Sequence, residues 1–341
     1  MNKPNRIAIL SGGSSAEADV SRSSAEQIGN ALAANHEVKI FELESGLTAQ
    51  LLDYEADVVF PALHGSPGED GSVQGYLEIL EIPYVGSGVH GSALAMDKHA
   101  AKQIFKCDGL PILDHLLIHR DKNRPDASTI RARLGPNVVI KPISEGSAIG
   151  VTRVTHGDDL NRLLIESLNE HDSLLIEPYF QGKEITVGVL DLFDKPVLPL
   201  PVVEIVLSKD EWYNFENRYK EGASTHQIPP VGMTNTLLLK LQEIALSAHK
   251  LLNLRDLSRT DFLVNDVGEV ALLEVNTIPG MTPTSLYPDA ASAIGIEFPS
   301  LVSKLVQSAW DRKRSGQLAR FKFQPRYELK GVPAFVVFNK I

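Results

Sequence analysis

The stretch "TDFLVNDVGEVALLEVNTIPG", residues 260–280, constrains the fold more than any other part of the chain. Phe262–Val264 and Val270–Leu273 are short β-prone runs on either side of Asn265-Asp266-Val267-Gly268, a polar segment whose glycine tolerates positive φ. That pattern is a hairpin, so the chain carries antiparallel sheet here. With the turn centred on Val267-Gly268, Asp261 lies opposite Glu274. Side chains two apart on a strand share a face, which adds Arg259 beside Asp261 and Asn276 beside Glu274. One face of the hairpin thus gathers two acids, an amide and a guanidinium among apolar neighbours.

Carboxylate and amide oxygens without nearby Cys or His are the donors a hard divalent ion prefers. A solvated face holding an ordinary ion pair has the same spacing, and the hairpin alone leaves both readings open. Composition narrows the rest. A formal charge of −10 argues against a general nucleic-acid or membrane-surface binder, while leaving room for a local basic pocket. Cys107 is the only cysteine, so no intrachain disulfide can form and a reducing compartment is implied. It reads as a small buried hydrophobe rather than a nucleophile. "RIAIL" near the start is strand-like, with no signal-type apolar core, and no run reaches the apolar length of a membrane span. The expected compartment is the cytoplasm.

"RIAILSGGSSAEADVSRSSAEQIGNALAA" reads as strand, Gly-Gly turn and amphipathic helix, and "EVKIFEL" and "DVVFPALHG" add strands, which together predict a parallel α/β domain over residues 1–96. A helix over Asp97–Lys106 opens a second unit, taken as residues 97–187, in which "NVVIKPISEGSAIGVTRV" is strand, Gly-rich loop and strand. Residues 188–314 form a third unit. Within it the Pro-punctuated "KPVLPLPVVEIVL" reads as edge or irregular β, Lys209–Pro230 as a lid, and Thr234–Leu252 and Pro299–Arg314 as helices. Residues 315–341 read as a packed extension whose role is not legible.

Six phrases in order resemble the D-alanine:D-alanine ligases of the ATP-grasp superfamily: "GGSSAEADVS", "ALHGSPGEDGSVQGYLEILEIPYVGSGVHGSALAMDK", "VVIKPISEGSAIGV", "IEPYFQGKEITVGVL", "YNFENRYKEG" and "SRTDFLVNDVGEVALLEVNTIPGMTPTSL". The resemblance runs from about Arg6 to Trp310. It implies an α/β fold, α+β in the later domains: three domains with ATP held between two antiparallel sheets. It also implies two Mg²⁺ ions, with Mn²⁺ an admissible substitute, a homodimer, and ligation of two D-alanines for peptidoglycan synthesis.

Residue by residue, the resemblance assigns Asp261, Glu274 and Asn276 to the metal, and Lys98 and Lys141 to phosphates. It gives Glu177, Tyr179 and Phe180 to adenine, Glu184 to ribose, and Arg218 to the nucleotide side of the closing segment. Glu17, Ser147 and Tyr219 match an interacting set that orients the first D-alanine, and His64 matches a histidine near it. Arg259 and the Gly280 N–H match groups facing the tetrahedral centre, and Ser285 and Leu286 match contacts to the second substrate. Taken singly, each has a plainer reading: surface charge for the lysines, packing for Tyr179, a satisfied loop residue for His64, a tight turn for Gly280 and a helix cap for Ser285.

Ala18, Asp19, Ala148, Phe215 and Arg218 depart from the usual family pattern and leave the substrate side and lid contacts less determined. The rival readings are a relative joining another acceptor, such as D-lactate, D-serine or a different amino acid, and a catalytically silent nucleotide-binding regulator. A dehydrogenase is disfavoured because "GGSSAE" lacks the G-x-G-x-x-G spacing.

Overall fold

The computed structural model of the chain describes residues 3–207, 224–282 and 284–316. Tyr219, Arg218, Phe215, most of the expected lid and residues 317–341 lie outside them.

Strands β1 (Arg6–Ser11), β2 (Glu37–Glu42) and β3 (Val58–Pro61) form a parallel sheet in the order β2-β1-β3. Ile7, Ala8, Ile9 and Leu10 are successive and all fully buried, as a strand covered on both faces requires. Helices α1 (Ala18–Leu32), α2 (Leu47–Tyr54), α3 (Ser72–Ile79) and α4 (Val89–Met96) complete this part.

The second sheet is antiparallel, ordered β4-β7-β5-β6. It comprises β4 (Leu116–His119), β5 (Val138–Pro142), β6 (Thr152–Val154) and β7 (Ser173–Pro178), with α6 (Ala127–Leu134) and α7 (Leu160–Glu170) packed on it through Ile130, Leu164 and Leu168. The helix before this sheet, α5 (Lys98–Cys107), belongs elsewhere. Asp97 caps it by accepting from the Ala100 N–H. Its Ala101 and Phe105 pack with Ile185, Phe262 and Leu272 of the third sheet.

That third sheet has the order β10-β9-β8-β11-β12: β8 (Lys183–Asp191), β9 (Leu198–Leu207), β10 (Ser224–Gln227), β11 (Asp256–Val264) and β12 (Val270–Asn276). Helix α8 (Asn235–Leu251) covers one face. The expected division after residue 187 runs through β8, all of which pairs with β11 from Lys183↔Val264 to Asp191↔Asp256. β9 pairs with both β8 and β10, and its proline stretch is edge-like and irregular as expected: β10 reaches only Glu204–Leu207, and the β8 register shifts between Val187↔Val202 and Val189↔Pro199, so among the described residues Pro199 and Pro201 stand where β9 has one neighbour.

Helices α9 (Leu286–Ser292) and α10 (Phe298–Arg314) return to the first sheet, where Leu301, Leu305 and Val306 join Ile7, Ile9 and Ile28 in one core. A buried latch fixes this return. Asp256, fully buried at the head of β11, accepts from Arg312 Nη1 at 2.9 Å and Nη2 at 2.7 Å, from Ser308 Oγ at 2.7 Å and from the Gly86 N–H at 2.9 Å. Burial alone would push this carboxyl up, but Arg312 overrides it and holds the group below the usual carboxylate range.

Candidate active site

The hairpin β11–β12 pairs Asp261 with Glu274 and Arg259 with Asn276, by a route the sequence reading did not contain. Its tip pairs Val264 with Val270, so the turn centres on Val267; continued regularly, the ladder would set Leu273 against Asp261 and turn Glu274 to the other face. A register shift between Asp261 and Phe262 leaves Leu273 as an extra residue and brings Glu274 opposite Asp261. The Asp261 carboxylate accepts from Arg259 Nε and Nη2, both at 2.8 Å, from Thr186 Oγ1 at 2.8 Å and from Asn276 Nδ2 at 3.0 Å. Asn276 thereby spends its amide nitrogen and keeps an oxygen to offer. Glu274 Oε2 lies 3.0 Å from Lys98 Nζ, which also donates to the Glu145 carbonyl at 2.5 Å. Among the described residues no three His, Cys, Asp or Glu side chains converge as a metal cage. The donor set is two carboxylates and an amide, all hard oxygens, which fits Mg²⁺ held jointly with phosphate oxygens.

A cleft of about 750 Å³ separates the second and third sheets. Every described residue expected to meet the nucleotide lines it: Lys98, Lys141, Glu177, Tyr179, Phe180 and Glu184. Val139, Ile149, Leu263 and Leu273 supply apolar walls. The Arg153 guanidinium stacks 4.1 Å above the Tyr179 ring. At the back, Glu177 is 1% exposed and pairs with two lysines: Lys141 meets Oε2, and Lys102 Nζ lies 2.7 Å from Oε1. Burial would raise Glu177, but the two ammonium groups dominate and bring it down to about 2. Lys102 is fully buried and its own pKa is lowered by that burial. Sequence reasoning missed it. The signal was present, because Lys98, Ala101, Lys102 and Phe105 form the i, i+3, i+4, i+7 stripe that α5 buries.

On the other side of the acids, Ser147 donates a hydrogen bond to Glu17 across 130 residues of sequence. Gly146 lies at this approach, and a Cβ there would stand 2.9 Å from Glu17 Oε2 and oblige that carboxylate to shift. Ser147 and the departing residue Ala148 both adopt left-handed backbone, φ 49° and 60°, a strained pair that the loop must hold.

His64 Nδ1 lies 3.1 Å from the Ile278 carbonyl, so that nitrogen carries the proton and Nε2 accepts from Ser24 Oγ at 3.2 Å. Burial keeps the ring below the usual histidine range and hence neutral. Glu69, also not anticipated, accepts from the Ile278 N–H at 2.9 Å and from the Gly65 N–H at 3.0 Å. Among the described residues it has no ion-pair partner, and burial, helped by the Glu17 charge against the weaker opposition of Arg259, pushes its carboxyl up to about 7. A second cavity of about 320 Å³ lies between Glu69, Gly146, Glu274, Asn276 and Thr277 and shares Lys98 with the first.

In the loop beyond, Gly280 lies close to Ser285; a Cβ there would meet Ser285 Oγ at 3.1 Å. Ser285 stands at the start of α9 without capping it, its hydroxyl bonding Thr282 instead, at 2.8 Å to Oγ1. Leu286, the first residue of α9, packs on the core shared with the first sheet. Neither cavity is lined by His64, Gly280, Ser285 or Leu286.

Two sequence families match the chain: "D-ala D-ala ligase N-terminus" over residues 42–87 and "D-ala D-ala ligase C-terminus" over residues 104–307. A D-alanine–D-alanine ligase of Halalkalibacterium halodurans is 42% identical over 303 residues, 88% of this chain and 98% of that protein. One from Syntrophobacter fumaroxidans is 42% identical over 306 residues, 89% of this chain and 97% of that protein. Among solved structures, the D-alanine–D-alanine ligase of Bacillus anthracis complexed with ATP superposes with a TM-score of 0.78 at 28% identity, covering 92% of this chain and 99% of that one. The Coxiella burnetii ligase gives 0.77 at 26% identity, covering 92% and 97%.

Proposed function

The chain belongs to the D-alanine–D-alanine ligase family, and we propose a division of labour by which its residues make the bond. It is an ATP-dependent ligase that joins two D-alanines for peptidoglycan precursor synthesis. The observation that carries the residue assignment is the meeting of Lys98 and Glu274 at 3.0 Å, where the nucleotide cleft and the second cavity join.

ATP lies in the cleft between the second and third sheets, with the base toward Glu177, Tyr179 and Phe180, ribose at Glu184 and phosphates at Lys141 and Lys98. Asp261, Glu274 and Asn276 would hold Mg²⁺, which when bound would supply dispersal of phosphate charge. Asp261 also grips Arg259 along its Nε–Nη2 edge, so metal site and guanidinium are oriented as one unit. Glu17, held by Ser147, takes the ammonium of the first D-alanine, and its carboxylate attacks the γ-phosphate to give an acyl phosphate and ADP. The amine of the second D-alanine, oriented by Ser285 and Leu286, attacks that acyl carbon, and phosphate leaves. Arg259 and the Gly280 N–H stabilise the oxyanion. His64, neutral and bonded to Ile278, steadies the strand end that leads to Gly280. Closing of the site is assigned to Tyr219 and Arg218 by the family resemblance alone. In this reading, as the family resemblance implies, the protein works as a homodimer in the cytoplasm. Among the described residues no helix is long and apolar enough to cross a membrane.

The test is ATP- and Mg²⁺-dependent phosphate release with D-alanine, L-alanine, or D-alanine plus D-lactate, with products identified by mass. D-alanyl-D-alanine from D-alanine alone is the expected result; an ester product, or nucleotide binding without turnover, would replace this reading with one of its rivals.

A further inference from the structure

Lys102 is a lysine with no solvent exposure, at the back of a nucleotide cleft, on a helix whose other buried residues are chiefly apolar. Its ammonium lies 2.7 Å from Glu177 Oε1 and donates to the Leu272 carbonyl of β12 at 3.2 Å. It is therefore tethered to the sheet as well as to the acid. The Glu177 carboxylate faces two ammonium groups, Lys102 and Lys141, so the cluster carries one more positive charge than negative. Oε1 has the Lys102 ammonium as its one polar neighbour among the described residues, so one of its two lone pairs is left without a donor in a buried setting. A buried acceptor with capacity left over is what an exocyclic amine would fill.

We infer that Lys102 sets the purine specificity of the site, by holding Glu177 as a carboxylate that can accept from the amino group of adenine and cannot donate to the oxo group of guanine. The inference rests on the proposed placement of ATP in this cleft and extends it to a residue that need not touch the ligand. A carboxylate only accepts, whereas a protonated carboxyl or an amide can also donate. Without Lys102, Lys141 alone opposes the burial that favours the neutral acid, and a Glu177 that can take up a proton satisfies either base. Discrimination then depends on the lysine behind the acid more than on the acid alone.

The experiment compares wild type, Lys102→Met, Lys102→Arg and Glu177→Gln by calorimetric titration with ATP and with GTP in the presence of Mg²⁺, each variant checked by thermal melting. Wild type prefers ATP. In Lys102→Met the ATP:GTP affinity ratio falls by roughly tenfold or more, the worth of one hydrogen bond to a charged group. Lys102→Arg retains part of the preference, and Glu177→Gln loses it. A folded Lys102→Met with the wild-type ratio would make Lys102 a structural ion-pair residue and overturn the inference. Should that variant not fold, Glu177→Gln decides, an unchanged ratio there being equally fatal. Wild type binding both nucleotides alike also overturns it. Phosphate release from wild type with D-alanine, measured separately, tests the ligase reading and leaves these ratios to judge Lys102.

Discussion

Two buried carboxylates in this protein look alike in burial and differ in what surrounds them. Asp256 is saturated: Arg312 meets both oxygens, Ser308 and the Gly86 N–H take the remaining lone pairs, and nothing is left for a ligand. Glu177 is opposed by two lysines, one at each oxygen, and takes no further donor from the described residues. Glu69 marks the limit of the series, a half-buried acid whose described donors are backbone N–H groups, and its carboxyl rises to about 7 where that of Glu177 falls to about 2. A closed ion-pair network is a fastening; an unbalanced one is a receptor. Burial by itself decides neither.

The contrast breaks most severely at Arg312. Arg312→Ala leaves Asp256 charged and unpaired in the core, and stability should drop by about 3 to 5 kcal/mol. Urea unfolding measures the loss, and turnover per folded molecule should stay near wild type; lost turnover at full stability would reverse the assignment of latch and receptor. Asp261→Asn should do the opposite, lowering turnover by roughly a hundredfold to a thousandfold with little change in melting. A fully active variant would remove Asp261 from the metal site.

Glu69 sharpens the comparison through pH. Its folded pKa of about 7 lies above the ordinary 4.5, so the folded protein binds the extra proton, and stability is lost as pH rises from 4.5 through 7 and then levels off. The loss is at most about 3 kcal/mol. Glu69→Gln should lack that slope in urea melts taken across the window, and parallel curves for the two proteins would deny the raised pKa. For Glu177, lowered to about 2, the sign is reversed, with stability present above 4.5 and lost as pH falls toward 2. The smallest effect belongs to the surface. Arg162 and Glu166 pair at 2.7 Å on exposed turns of α7, and Glu166→Gln should cost about 0.5 kcal/mol or less.

Much of the site was readable because its chemistry conflicts with its setting. Asp261, Glu274 and Lys141 are charges inside β-prone runs, and an alternating pattern was enough to place Arg259 and Asn276 beside them. Lys102 carries the same conflict, a charge on the apolar stripe of α5, but a helix over Asp97–Lys106 read without its buried face assigns that lysine no role. Glu69 and Thr186 could not be found this way: a polar residue in a loop or strand announces nothing until distant chain comes to meet it, Ile278 in one case and Asp261 in the other. The sheets were legible and their partners less so. Nothing local in α5 says that it packs on the third sheet, whereas the prolines of "KPVLPLP" did mark the part of β9 that β10 does not reach.

The extra residue in β12 changes what one strand can present. Alternation ordinarily allots each surface every second side chain, so a strand cannot offer grease and charge to the same ligand from neighbouring positions. At the irregularity Leu273 and Glu274 both line the nucleotide cleft. Two consecutive letters of sequence thus share one address, an apolar floor directly beside a carboxylate. The boundary between the dry and the ionic halves of the cleft is drawn within a single residue step, finer than any regular sheet could draw it.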